Sequence, residues 1–230
     1  MWYLSKIELE RGLAPKELAR TIPANAYAEH QAIWQLMSTE REQPRDFLFR
    51  REQAGHWPMF YVLSAREPAQ SSGAWRIQTR TFQPRLAAGQ RLAFALRANP
   101  VRTRKVSDDP QDKRRYRDDV VMHAKRLEQE REPNPARRLG QAALVQQAGP
   151  RWLEDRAEAN GFALEAIHVD DYQQHRLTKR GNQNPIRFST LDYQGVLRVT
   201  DAERFLITVH RGIGHAKGFG CGLLLIRRPN

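Results

Sequence analysis

The chain has 230 residues, a formal net charge of +12 and a sequence pI near 10.4, with arginine far outnumbering lysine. That length allows one large domain or two small ones. The basic excess selects polyanion partners, nucleic acid ahead of anionic membrane. Membrane spans, disulfides and zinc are excluded in turn: no apolar run approaches the ~20 residues of a spanning helix, Cys221 is the single cysteine, and no His/Cys cluster has zinc-ligand spacing. The opening Met1-Trp2-Tyr3-Leu4-Ser5-Lys6 is not a signal peptide, so the expectation is a cytoplasmic protein with no metal and no cofactor.

Residues 2–9 alternate as a strand. Pro15 opens a short helical turn, and Pro23-Ala24-Asn25 punctuates before a helix expected over 25–37. At roughly 100° per residue, Ile22, Ala26, Ile33, Leu36 and Met37 share its core face, while Tyr27, His30 and Trp34 run along one border of that face. His30 therefore stands at a seam between core and solvent, where an imidazole is both held and reachable. Strands follow over 46–51 and 59–64, joined by a turn at Ala54-Gly55. The segment 65–73 is short and polar, so a second helix there should be poor or missing, and 75–82 alternates again. The order β-α-β-β-(weak α)-β is a ferredoxin-like split β-α-β pattern.

A linker is expected over 84–89, dividing a first domain at 1–88 from a second at 89–230. A strand at 90–99 is closed by Pro100. A basic ribbon then carries Arg102, Arg104, Lys105, Lys113, Arg114, Arg115 and Arg117 around Asp108, Asp109 and Asp112. Helices are expected over 118–130, 135–148 and 150–160, the last with Pro150 at its start and Gly161 at its stop. Strands at 162–172 and 185–199 flank a loop containing Arg176, Lys179, Arg180, Gly181 and Asn182. Thr200-Asp201-Ala202-Glu203 reads as a capping box opening a helix to about Arg211, and the last strand is 223–227. The expected fold is α+β, two tandem ferredoxin-like β-α-β-β-α-β domains, the first with a weak second helix.

Between that last helix and strand lies Arg211-Gly212-Ile213-Gly214-His215-Ala216-Lys217-Gly218-Phe219-Gly220-Cys221-Gly222, in which five of twelve residues are glycine. Such density lets backbone turn sharply and bring its N–H groups against an anion, with Lys217 adding a full charge. It does not fit G-x-x-x-x-G-K-[ST], and Gly212, Gly214 and Gly218 miss G-x-G-x-x-G by one residue.

Several short motifs agree with one family in order and spacing. They are Tyr3-Leu4-Ser5-Lys6, Tyr27-x-x-His30-x-x-x-Trp34, Arg45-Asp46-Phe47-Leu48-Phe49, Arg97-Ala98-Asn99-Pro100, Gly195-Val196-Leu197-x-Val199-x-Asp201, and Gly212-Ile213-Gly214-x-Ala216-Lys217-x-x-Gly220-Cys221-Gly222-Leu223-Leu224. On these the chain resembles the CasE family, the repeat endoribonucleases of the type I-E Cascade complex of CRISPR systems. The resemblance implies two RRM-related ferredoxin-like domains that bind the stem-loop of a CRISPR repeat transcript. It also implies a single metal-free cut at the 3′ base of the stem, after which the protein stays on the product as a Cascade subunit. The family's catalytic histidine and companion tyrosine fall on His30 and Tyr27.

Metal-free RNA cleavage needs the 2′-hydroxyl deprotonated, the 5′-oxygen protonated and the phosphorane charge stabilised. Histidine suits either proton transfer because its unperturbed pKa of ~6.5 lies near working pH. Tyr27, one helical turn before His30, serves better as a hydrogen-bond donor than as a base. Whether His30 is base or acid stays open. RNA contacts are expected from Arg97, Arg102, Arg104, Lys105, Arg176, Lys179, Arg180, Gly212, Gly214 and Lys217, mostly through phosphates and shape, since the A-form major groove is deep and narrow. The glycine stretch is read as a backbone cradle and packing element, with the chemistry in the first helix. Trp34 is assigned to packing, and His56, His123, His168, His175, His210 and His215 receive no role. The alternative is an RRM-like RNA-binding subunit that does not cut, although the K/R-G-F/Y-G/A-F-V-x-F/Y stacking signature is absent.

Overall fold

The computed structural model describes residues 1–37, 45–69, 73–105, 111, 115–178 and 184–229. Alternation sets the first sheet: in β1 (Tyr3–Leu9) Ser5, Ile7 and Leu9 point inward. After α1 (Pro15–Thr21) and α2 (Ala26–Met37) come β2 (Phe47–Ala54), β3 (Trp57–Ser64) and β4 (Trp75–Thr81), in spatial order β2-β3-β1-β4, all neighbours antiparallel. That is the ferredoxin-like order, and among the described residues between β3 and β4 there is no helix. Ile33, Leu36 and Met37 of α2 pack on Ile7, Phe49, Phe60 and Val62 of the sheet. The expected face is therefore correct in Ile33, Leu36 and Met37, but it also buries Glu29.

The second half repeats the plan with insertions. β5 (Arg91–Ala98) leads into β6 (Val101–Lys105) and β7 (Arg115–Asp119), then α3 (Val120–Arg131) and α4 (Gln141–Ala157). β8 (Phe162–Leu177), β9 (Ile186–Val199), α5 (Ala202–Arg211) and β10 (Leu224–Arg227) complete it, with sheet order β10-β5-β9-β8. The core spans both halves: Leu48 of β2 and Leu63 of β3 belong to the same buried cluster as Phe94, Trp152, Ile213 and Leu223. No helix among the described residues is long and apolar enough to cross a membrane.

The basic ribbon gains a definite structure, and three expectations are corrected. The basic ribbon is an antiparallel hairpin, β6 paired with β7 from Val101–Asp119 to Lys105–Arg115. Pro150 does not open a helix but lies inside α4, where Leu144, Val145, Gly149, Trp152, Leu153 and Ala157 keep one buried stripe in phase across it. Proline there removes a ladder bond. Gly149 before it lacks the Cβ that a following proline ring crowds, and a Cβ there would meet Val169 Cγ1 of β8 at 2.8 Å. β8 runs to Leu177, so Arg176 lies in the strand opposite Arg187 rather than in a loop. The N-cap of α5 is Asp201, whose carboxylate accepts from the Arg204 N–H, one residue beyond the Thr200 expected.

Candidate active site

Asn25 starts α2 by accepting hydrogen bonds from the Tyr27 and Ala28 N–H groups, both at 3.0 Å. His30 and Trp34 follow on the border the periodicity indicates. The face opposite them comes from the other end of the chain. A 3-10 turn, Lys217–Phe219, packs against α2 and β2, flanked by Ala216 (φ 54°) and Gly220 (φ 80°), both left-handed. The sequence reading had separated the glycine stretch from the chemistry; the fold brings them together.

The His30 ring lies among aromatic rings, 5.7 Å from Trp34, 6.0 Å from Phe219 and 6.5 Å from Tyr27 between centroids. Its Nδ1 is buried and makes no hydrogen bond. Burial pushes the pKa of His30 below the ordinary histidine value, the Gly218 backbone opposes that, and the Arg45 cation adds to the lowering. The ring is therefore neutral near pH 7. Trp34 also packs on Phe47, in keeping with a packing role.

Arg45 borders the ring, and Lys217 lies near Arg45. Lys217 donates from Nζ to the Arg211 carbonyl at 2.6 Å, and burial first, then Arg45 and Arg211, lower its pKa. Arg45, just ahead of β2, was not singled out in the sequence because one arginine before a strand looks like any surface charge. A Cβ on Gly218 would stand 3.1 Å from Arg45 Nη1 and 3.6 Å from His30 Nδ1, which fixes how tightly the three residues meet. The signal for Arg45 was its place in the Arg45-Asp46-Phe47-Leu48-Phe49 motif. Among the described residues, no group of three His, Cys, Asp or Glu side chains could hold a metal ion.

From Phe219 a groove runs between the β6–β7 hairpin and the β8–β9 pair, lined by Arg117, Arg176, Arg187, Phe188, His175 and His215 among others. Phe188 stacks on both Phe219 and His175, with centroids 5.1 and 4.6 Å away. Arg102 and Arg104 project from β6, Arg104 pairing with Asp118 at 2.6 Å and lying over the Tyr116 ring. Lys105 ends β6. Lys179 and Arg180 lie outside the described residues, as do Lys113 and Arg114.

Arg97 does not stand free for RNA. Its fork is filled by Asp192, Nε to Oδ1 at 2.8 Å and Nη2 to Oδ2 at 2.6 Å, with Asp171 at 3.6 Å. Hydrogen bonding to Asp192 pushes its pKa up. Gly212 and Gly214 are packing positions: a Cβ on Gly212 would meet the Gly222 carbonyl and Leu48 Cδ1 at 2.7 Å, and one on Gly214 the Trp152 ring at 3.1 Å. His215 bridges Asn99 by backbone pairing.

Two ferredoxin-like units with a histidine among aromatic rings, beside an arginine, at the end of a basic groove define a protein built to act on a polyanion. The family model described as "CRISPR associated protein" matches residues 2–228, and the chain belongs to that family, in its CasE branch. It is 29% identical to the CRISPR system Cascade subunit CasE of Escherichia coli, over 96% of this chain and 97% of that protein. It is also 29% identical to the CRISPR-associated endoribonuclease Cse3 of Thermus thermophilus, over 98% and 99%. Among solved structures, CRISPR endoribonuclease Cse3 bound to a 19-nucleotide RNA aligns with a TM-score of 0.69 at 26% identity, covering 99% of each chain. Cas6e from Escherichia coli aligns with a TM-score of 0.64 at 25% identity, covering 99% and 100%.

Proposed function

We propose that this protein is a cytoplasmic endoribonuclease that cuts CRISPR repeat transcripts once, at the 3′ base of the repeat stem-loop, and then stays on the product hairpin as a Cascade subunit. The observation that carries the reading is His30, set among the Tyr27, Trp34 and Phe219 rings where the basic groove ends. The 2′-oxygen attacks the adjacent phosphorus while its proton leaves. The bond to the 5′-oxygen then breaks, and that oxygen is protonated. The products are a 2′,3′-cyclic phosphate and a 5′-hydroxyl, and His30 carries one of the two proton transfers, a step typically contributing ~10²- to 10⁴-fold. Tyr27 donates toward the scissile phosphate from one turn away. Arg102, Arg104, Lys105 and Arg176, together with Lys179 and Arg180, grip the stem. Metal-free chemistry is supported by the Arg45 cation beside His30, which disfavours a divalent ion there.

The names of the full-length relatives, an endoribonuclease and a Cascade subunit, support the same reading. The test incubates the protein with a labelled repeat hairpin in excess EDTA. A single cut at the stem base is expected, and His30→Ala should abolish it while hairpin binding stays nearly intact. Cleavage that EDTA stops, or normal cleavage by His30→Ala, overturns the mechanism.

A further inference from the structure

We propose that Arg45 is a further catalytic residue: its guanidinium receives the scissile phosphate and takes up the negative charge of the phosphorane, over a floor made by Gly218 and beside Lys217. The assignment rests on the endoribonuclease reading above and names the group that does this part of the work.

Four arginines of the nearby strands and turns are already paired. Arg50 pairs with Glu52, Arg51 with Glu29, Arg66 with Asp46 and Arg97 with Asp192. Arg45 and Lys217 make no ion pair among the described residues, although Asp46 is the very next residue after Arg45. Arg45 thus acts on both Lys217 and the His30 ring, disfavouring charge on each, with no anion paired to it among the described residues. A carboxylate from the protein would relieve that repulsion, and among the described residues none pairs with Arg45 or Lys217. A phosphodiester would relieve it too, which makes the arrangement complementary to a phosphate. Arg45 stays open to solvent, so RNA can reach it.

Gly218 supplies the second observation. Its backbone lies outside the left-handed region, so conformation does not demand glycine there. Space does. A Cβ would stand 3.1 Å from Arg45 Nη1 and 3.6 Å from His30 Nδ1, pressing the guanidinium away from the ring. Glycine at this point keeps Arg45 and His30 close enough to act on one phosphate. A guanidinium offers two parallel N–H donors to the non-bridging oxygens and transfers no proton. As the 2′-oxygen bonds to phosphorus and the 5′-oxygen leaves, charge gathers on those oxygens and stays within its reach.

The experiment measures single-turnover cleavage of a repeat hairpin at saturating protein, and separately the Kd for the same hairpin carrying a 2′-deoxy nucleotide at the cut. Arg45→Ala is expected to lower the rate by about 10²- to 10³-fold, as loss of one charge-stabilising donor does, with Kd for the uncleavable RNA changed by less than about threefold. Added guanidinium ion should restore part of the lost rate, which a misfolded variant would not allow. Arg45→Lys, which keeps the charge without the fork, should fall between, and Gly218→Ala should lose rate with unchanged Kd. A rate for Arg45→Ala within threefold of the parent, or a loss carried wholly by Kd, overturns the assignment. His30→Ala run alongside separates the two ideas: a cutting parent beside an inert His30→Ala upholds the endoribonuclease whatever Arg45 does. If the parent is inert, the Arg45 site is read by NMR instead. Inorganic phosphate should then raise the His30 pKa in the parent and not in Arg45→Gln, and equal shifts in both sink the proposal.

Discussion

The rings of His30 and Phe219, from opposite ends of the chain, lie with centroids 6.0 Å apart at an interplanar angle of 48°. Phe219 is thus one wall of the pocket that keeps the imidazole dry. Phe219→Ala should admit water to the ring and move the His30 pKa up toward the ordinary ~6.5, because burial is the main cause of its lowering. Cleavage at pH 7 should fall by roughly 10- to 100-fold as the ring loses its fixed position, and Phe219→Leu should lose less. NMR titration of His30 and cleavage rates on the same samples check both parts. A His30 pKa that stays put in Phe219→Ala would show that this wall does not keep it dry.

Arg97 and the hairpin arginines should separate in salt. If the fork of Arg97 serves Asp192, Arg97→Ala removes a structural pair. It should lower unfolding stability by about 2 kcal/mol or more, while leaving the salt dependence of hairpin binding unchanged. Arg102→Ala and Arg176→Ala should do the reverse, each lessening the slope of log K against log salt by about 0.7 to 0.9 with little change in stability. Fluorescence anisotropy between about 50 and 200 mM salt measures the slope, and urea titration the stability. A slope reduced by Arg97→Ala would return that residue to the RNA grip.

Gly195→Ala should be among the most damaging small changes in the chain. Gly195 pairs with Ile167 just past the register shift between Leu164 and Ala166, where β8 bulges. A Cβ there would stand 2.0 Å from the Ala166 carbonyl oxygen, a backbone atom that cannot swing aside. Destabilisation by more than ~3 kcal/mol, or insoluble protein, is expected. A urea midpoint close to that of the parent would show that the bulge can relax.

Both ferredoxin-like halves were legible because β1 and β5 face a core on one side and so alternate. Where both faces of a strand meet solvent, alternation vanishes. The outer part of β8, Gln173 to Arg176, is polar throughout and reads as loop, and the β6–β7 hairpin reads only as charge. Pro150 misled for a different reason, since its own backbone preference was overridden by a buried stripe that continues through it. The motif spacing placed His30 and Tyr27, because one helix turn is a local relation. The approach of Gly218 and Arg45 to that helix is a long-range one, set by how the two sheets share a core, and no local pattern encodes it.

Glu29, one residue before His30, is the buried position the helical wheel missed. Its carboxylate lies 3.3 Å from Arg51 Nη1, yet burial raises its pKa above the ordinary carboxyl value, with Arg51 and then Arg97 pulling it back. A carboxyl that binds its proton more tightly folded than unfolded stabilises the fold below the unfolded pKa and loses that contribution as pH rises through the folded one. Glutamine keeps the shape and hydrogen-bonding capacity without the charge. Glu29→Gln should therefore match the parent near pH 4, where both side chains are neutral, and become the more stable of the two as pH rises toward 7. Arg51 is exposed enough to be solvated when its partner is gone. Urea unfolding of both proteins across that range decides it: if Glu29→Gln instead loses ground to the parent with rising pH, the attraction of Arg51 outweighs the burial of the carboxylate.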